Sequence, residues 1–439
     1  MKNDILIVAG KDFIENISEF LFQQNYGINI ADSEAEILRK SQQESVKAIV
    51  FDGDICRGRA CKALTKAIKK TGKKFITVSS KRTFKAIIEA RDSGSADYII
   101  KPYNYREFLL RLNALVYNKR KVSCIGGGTG LFNILMSIKT LPDVLLTSIV
   151  STSDDGGSSG RLRLDFDILP PGDIRRSLVA LSNAPEIMNN IMQYRFHKGR
   201  DLAGHSFGNL FLTALSDIKG SMSEAIVGLS DILNIQGIVL PVTTDKTTLC
   251  AEFEEGTVIK GESKIDQAEG RSPGLHIKKL WHEPTPKCHI NAFSSIAYAD
   301  TIIIGPGDLF TSIVTNLAIA DLQKAIVSSK AQKIYICNLM SKPGETTGYT
   351  AKDHIAEVVK YMKGDYLDTI VVSNTPLSQR TLDIYKKKSQ YPVKTGDMEK
   401  IKSLTKAEMI IADVGHQEEL VRHDSQKIRK VLSSMIKNI

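Results

Sequence analysis

Gly126, Gly127, Gly128, Thr129 and Gly130 follow directly on the apolar run Val122 to Ile125. Leu131, Ile134, Leu135 and Ile138 come next, at helical spacing. Glycines expose backbone N–H groups, and the start of a helix adds more of them, so this stretch has the makings of an anion site. A merely tight strand–helix turn is the plain alternative. A second polar loop, STSDDGGSSGRLR, ends the run Val144 to Val150. In it Asp154 and Asp155 can hold a cation or accept ribose hydroxyls. Gly156 and Gly157 let backbone come close, Ser158 and Ser159 can cap a helix or bond phosphate, and Arg161 and Arg163 supply phosphate-pairing charge.

Three further stretches carry chemistry. In LPPGDIRR, a double proline sets a rigid entry and Asp173 fits a helix N-cap, with Arg175 and Arg176 placed for phosphates. GHSFGNL holds His205 and Asn209 at what reads as a helix start near residue 205. Gly305, Pro306, Gly307 and Asp308 end another apolar run, TIIIG, and open a helix with exposed N–H groups. None of the standard owners fits. A dinucleotide fingerprint needs glycine where Leu131 stands, and a phosphate loop needs a lysine that is absent here. The G-x-S-x-G at Gly204 to Gly208 follows charged, polar HKGRDLA instead of the buried strand a nucleophile elbow needs.

These loops require strands to carry them. Residues 238–260 read as β-strands, two of them joined at Glu255-Gly256, and residues 262–290 as a loop-rich excursion. KIYIC, TIVVS and MIIAD supply further strands, with Asn338 near the end of the first. Residues 1 to 118 alternate short apolar strands (Ile5 to Val8, Gly27 to Ile30, Ala48 to Phe51, Phe75 to Val78, Tyr98 to Ile100) with amphipathic helices. That alternation predicts an α/β domain with a parallel sheet. The chain thus divides into domains at 1–118 and 121–439.

Of the net charge of +10, residues 1 to 120 hold 22 Lys+Arg against 14 Asp+Glu, densest from Arg57 to Arg91. A solvated basic face is the plain reading. An acidic partner surface, lipid headgroups or nucleic acid are the alternatives, and nucleic acid is not the expected partner. No run reaches membrane-span length and no signal peptide is evident, so a cytoplasmic protein is expected. The six cysteines are scattered without a CxxC, which predicts reduced thiols.

The first domain resembles a receiver domain, a flavodoxin-like fold. Asp52 matches the phospho-acceptor, Ser79 the hydroxyl position and Lys101-Pro102 the lysine–proline step. Ala9-Gly10 stand where that family carries an acidic metal-binding pair, so a degenerate docking or sensing module is expected.

From residue 121 on, GGGTG, DDGGSSGRLR, PPGDIR, GHSFGNL, IGPGDLFTS and ICNLMSKPGETTGYTAKDH together resemble the 2-phospho-L-lactate transferase superfamily, in its bacterial gluconeogenesis-factor branch. The resemblance implies a Rossmann-like α/β fold and a UDP-N-acetylglucosamine-type ligand. It implies regulation of cell shape and envelope synthesis through protein partners, and a homodimer. The alternative it carries is a Mg²⁺-dependent transferase of phosphorus-containing groups, and whether the chain is an enzyme stays open. By the same resemblance, Gly127, Gly128 and Thr129 would line a pyrophosphate. Asp154 and Asp155 would bind sugar or metal, and Asp173, His205 and Asn209 would form a polar floor. Gly307, Asp308 and Asn338 would meet the nucleotide, Tyr385 would stack on a base, and Arg422 would pair with phosphate.

Overall fold

The structure is a computed structural model and describes residues 3–55, 59–267, 274–417 and 420–437. Two compact units emerge: Met1–Lys121 with Asp143–Leu145 and Phe293–Tyr298, and Val122–Pro142 with Leu146–Ala292 and Ala299–Ile439.

In the first unit β1 (Asp4–Val8), β2 (Gly27–Ile30), β3 (Val46–Asp52), β4 (Phe75–Ser79) and β5 (Asp97–Ile100) form a parallel sheet in the order β2-β1-β3-β4-β5. This is the flavodoxin-like order. Successive residues of β1 point to opposite faces: Ile5 and Ile7 pack with Phe108 and Leu112, while Leu6 and Val8 pack with Ile37 and Ile68. Burial on both faces is why these strands read as continuous apolar runs.

The second unit's strands are β6 (Arg120–Gly126), β7 (Val144–Val150), β8 (Ile238–Pro241), β9 (Thr248–Phe253), β10 (Val258–Lys260), β11 (Ile277–Glu283), β12 (Thr301–Ile304), β13 (Gln332–Ile336), β14 (Thr369–Ser373), β15 (Glu408–Ala412), β16 (Gly415–Gln417) and β17 (Val421–His423). Seven of them form one sheet, β15-β14-β13-β12-β6-β7-β8. From β6 the chain builds outward through β7 and β8, then returns to the other side of β6 as β12. The strand order therefore reverses between β6 and β12, and open α/β sheets bind ligands at such a switch point. The glycine loops Gly126 to Gly130 and Gly305 to Asp308 end those two strands.

The stretch 262–290 departs from expectation. It holds the short helix Glu262–Asp266 and β11, which pairs antiparallel with β9 in a small three-stranded sheet. The cysteine expectation holds for Cys124, Cys250, Cys288 and Cys337, which are buried and not disulfide-bonded. Cys61 is instead disulfide-bonded, and Cys56 lies outside the described residues. Among the described residues no helix is long and apolar enough to cross a membrane.

Candidate functional site

At the switch point the two glycine loops touch. A Cβ on Gly130 would lie 2.2 Å from the Pro306 carbonyl oxygen, and one on Gly127 would lie 2.7 Å from Asp173 Oδ2. Only glycine lets these backbones approach so closely. Gly127 caps the helix Gly128–Ile138 without a side-chain bond, and Gly128 has φ +61°. Gly126 closes the junction behind them, its carbonyl accepting from Ser151 N–H at 2.9 Å, and the Gly305 N–H donates to the Ile125 carbonyl at 2.9 Å.

In front of the loops lies a cavity of about 400 Å³. Of the expected residues, Gly127, Gly128, Thr129, Gly130, Gly307, Asp308, Asn338, Tyr385 and Arg422 line it. Arg176 and Ser312 stand beside Gly128, and Lys342, Gln390 and His423 also line the cavity. The Asn338 Oδ1 and His423 Nε2 atoms are buried and have no hydrogen-bond partner among the described residues.

Other expected residues are spent on the scaffold. Asp155 does not join Asp154 in one ligand set: its oxygens accept from the N–H groups of Glu262 (3.1 Å) and Ser263 (2.7 Å), capping the helix Glu262–Asp266. Asp154 accepts from Gly156 N–H at 3.0 Å. Arg175 donates to the Met192 carbonyl at 3.2 Å, and its buried Nε has no partner among the described residues; burial, then Arg176, lowers its pKa to about 10. Arg176, its neighbour, is the arginine that faces the cavity. Ser158, His205 and Asn209 form a buried knot, with Ser158 Oγ 3.0 Å from His205 Nδ1 and accepting from Asn209 Nδ2 at 3.1 Å. It fastens the helix Gly157–Asp165 to the helix Phe207–Lys219 and does not line the cavity. Tyr385 is 6% exposed, and its hydroxyl accepts from Val421 N–H at 2.7 Å, so it braces β17.

The loop after β12 also differs from expectation. Leu309–Val314 is a π-helical turn, and the Phe310 N–H and Thr311 hydroxyl donate to buried Glu345 at 3.3 and 3.1 Å. Glu345 thus occupies donors expected to face a ligand.

The acidic groups cluster more tightly than the sequence suggests. Among the described residues, the carboxylates of Asp266, Asp308 and Glu345 bring oxygens within 4.8 Å of one another. The Lys342 ammonium sits among them, bonded to Asp266, 2.5 Å from Asp308 and 3.5 Å from Glu345. Burial, then Glu345 and Asp173, pushes the Asp308 carboxyl up to about 7. Burial also raises Asp173; Arg176 opposes this, and the nearby Asp154 adds to it. Glu262 is pushed up to about 8 by burial first and then by Asp154, with Lys342 pulling the other way.

A pH dependence follows from Glu262. Its folded pKa lies above its unfolded value, so its contribution to stability is present at acid pH and is lost as pH rises through about 8. Glu262→Gln cannot ionise and should flatten that loss. At a pH of about 8 the variant should be more stable than the wild type, by on the order of 2 kcal/mol, and at about pH 4 the two should nearly coincide. Urea unfolding followed by Trp281, the sole tryptophan, at both pH values checks this.

Residues 122–414 match the family model described as 2-phospho-L-lactate transferase CofD. The chain is 39% identical over 319 residues to the gluconeogenesis factor of Bacillus subtilis (strain 168), covering 73% of this chain and 99% of that protein. It is 39% identical over 315 residues to the gluconeogenesis factor of Halalkalibacterium halodurans, covering 72% and 96%. A crystal structure of a UPF0052 family member from Bacillus halodurans superposes with TM-score 0.67 at 39% identity, covering 71% of this chain and 99% of that one. By sequence and by fold, this chain belongs to the 2-phospho-L-lactate transferase CofD family.

Proposed function

We propose that the second unit binds a nucleotide-sugar of the UDP-N-acetylglucosamine type, and that the protein is a regulator coupling carbon supply to cell-envelope synthesis and cell shape. The cavity carries this reading. One end offers backbone N–H groups and the Arg176 guanidinium, the donor set a pyrophosphate needs. The lining also includes Asn338 and His423, whose buried Oδ1 and Nε2 have no partner among the described residues. Buried polar atoms without partners are rare and costly. A heterocyclic base with ring N–H and carbonyl groups would satisfy them. A cavity of this size suits a small organic ligand. The relatives' name, gluconeogenesis factor, supports the link to carbon metabolism.

A second reading, a transferase acting on a nucleotide-activated phosphoester, is favoured by one observation. Asp154 helps to raise the pKa of Asp173, and Asp173 that of Asp308, and carboxylates gathered so closely beside the glycine loop fit a hard divalent cation. Asp154 and Asp173 would hold Mg²⁺ there, and the ion would neutralise charge on the phosphoester. Asp155, engaged by two backbone amides, would not take part.

Calorimetric titration of UDP-N-acetylglucosamine, UDP and free N-acetylglucosamine separates these readings. Saturable binding of UDP-N-acetylglucosamine with no product formed in Mg²⁺ supports the regulator. Turnover of the nucleotide donor in Mg²⁺ supports the transferase. No binding of any uridine ligand overturns the nucleotide-sugar assignment.

A further inference from the structure

Residues 59 to 74 hold seven lysines and arginines and no acidic residue. The first twelve, Arg59–Lys70, form a helix of the first unit. Its Ala67 and Ile68 are buried in the core beside Ile37 and Val46. At about 100° per residue, Lys62, Lys66, Lys69 and Lys70 fall together within about 100° of arc on the other side, spread over about 12 Å of the axis. All four are exposed, and among the described residues no carboxylate pairs with any of them. The Lys69 stem crosses Gly94, where a Cβ would lie 2.7 Å from its Cε. Three of the four acids on the helices Glu34–Ser41 and Phe84–Asp92 are offset within their own helix: Glu36 pairs with Lys40 at 2.9 Å, Glu89 with Lys85 at 3.9 Å and Asp92 with Arg91 at 3.4 Å.

This face works against the helix that carries it. Lys62, Lys66 and Lys70 follow one another at i, i+4 spacing, where like charges repel. A helix C-terminus favours Lys69 and Lys70, but not Lys62 and Lys66. We propose that the lysine face docks the protein on an anionic phospholipid bilayer. Lysine is a compact point charge on a flexible stem, which suits mobile headgroup phosphates; phosphates held in a fixed geometry favour the arginine fork. Four such lysines on one helix face reach the size at which basic clusters bind anionic membranes. The apolar side of the helix is buried in the core, so nothing inserts among acyl chains. The contact is therefore electrostatic, reversible and screened by salt. A nucleic-acid duplex is the other common polyanion. A helix that reads a duplex lies in its major groove. This one packs on the sheet and against the helix Glu34–Ser41, and it carries no aromatic residue, Asn or Gln to meet bases.

The test uses the full chain and sedimentation with vesicles. Phosphatidylcholine vesicles carrying about 30% phosphatidylglycerol should bind the wild type at about 0.05 M salt and release it at about 0.5 M, and pure phosphatidylcholine should not bind it. Lys62→Gln, Lys66→Gln, Lys69→Gln and Lys70→Gln together keep good helix formers at exposed positions. In that variant binding should fall at least about a hundredfold, at about fivefold per lysine. Lys219→Gln, Lys324→Gln, Lys330→Gln and Lys406→Gln remove the same charge from exposed positions of the second unit, and should leave binding within about threefold of the wild type. Equal losses in the two quadruple variants, both folded by circular dichroism, would make net charge responsible and overturn the proposal. So would a wild type that does not bind the anionic vesicles. Fluorescence anisotropy with a short DNA duplex at the same salt is the last arm. Tighter binding to the duplex than to the vesicles, lost in the first variant, would assign the face to nucleic acid and overturn the bilayer.

Discussion

Lys342→Met should destabilise the second unit by about 2–3 kcal/mol at a pH of about 8, because it leaves the buried Glu345 and the partly exposed, solvent-screened Asp266 and Asp308 without their cation. The Lys342 ammonium touches Asp266, Asp308 and Glu345, and Glu345 is fully buried. Met fills much the same volume, so the loss is one of charge. The sign with pH is fixed. Even with the lysine present, Asp308 has a folded pKa of about 7, above its unfolded value, so its ionisation opposes folding as pH rises through that range. Without the lysine, this opposition grows. The deficit should therefore be largest at alkaline pH and shrink as Asp308 protonates toward a pH of about 4. Urea unfolding of wild type and variant at the two pH values measures it. A deficit independent of pH would mean that lost packing, and not lost charge, is responsible.

Gly130→Ala should destabilise the same unit by on the order of 3 kcal/mol, although it adds a single methyl group. The new Cβ would lie 2.2 Å from the Pro306 oxygen and 2.6 Å from its carbonyl carbon. Both are backbone atoms, so no flexible side chain can move aside, and the loops after β6 and β12 must part. Thr129→Ala, one residue away and exposed, should change stability by no more than about 0.5 kcal/mol. The contrast in urea midpoints isolates the loop contact from a general effect on the helix. A Gly130→Ala protein as stable as Thr129→Ala would show that the loops do not meet as closely as described.

The apolar runs made the two parallel sheets legible, because strands buried on both faces announce themselves as unbroken hydrophobic stretches. The residues 144–150 and 27–30 were placed to the residue. β11 was not legible for a physical reason. Its sequence, IKKLWHE, has a register shift between Ile277 and Lys279, which breaks the two-residue alternation that identifies a half-buried strand. Missing β11, and the helix before it, hid Glu262 and Asp266 from the candidate site.

Within the site, the glycine loops were readable because close backbone approach demands glycine. Which of two adjacent polar residues would face the cavity was not. Arg175 and Arg176 sit about 100° apart on one helix, and tertiary packing turned the first toward Met192 and the second toward the cavity. Asp154 and Asp155 diverge in the same way, the second drawn to backbone amides more than a hundred residues away in sequence. Lys342 could not be recognised as the hub of three carboxylates until the fold brought them together.

The most direct test of the central claim is calorimetric titration of UDP-N-acetylglucosamine into wild type and Gly128→Arg. Gly128 has φ +61°, and a Cβ there would sit 3.7 Å from Arg176 Nη1. The new guanidinium would enter the anion end of the cavity and strain a left-handed turn. Saturable binding to the wild type and at least about a tenfold loss in the variant, roughly 1.4 kcal/mol, is the predicted result. Equal affinity in the two proteins, both folded by circular dichroism, would contradict the placement of the ligand at the glycine loop.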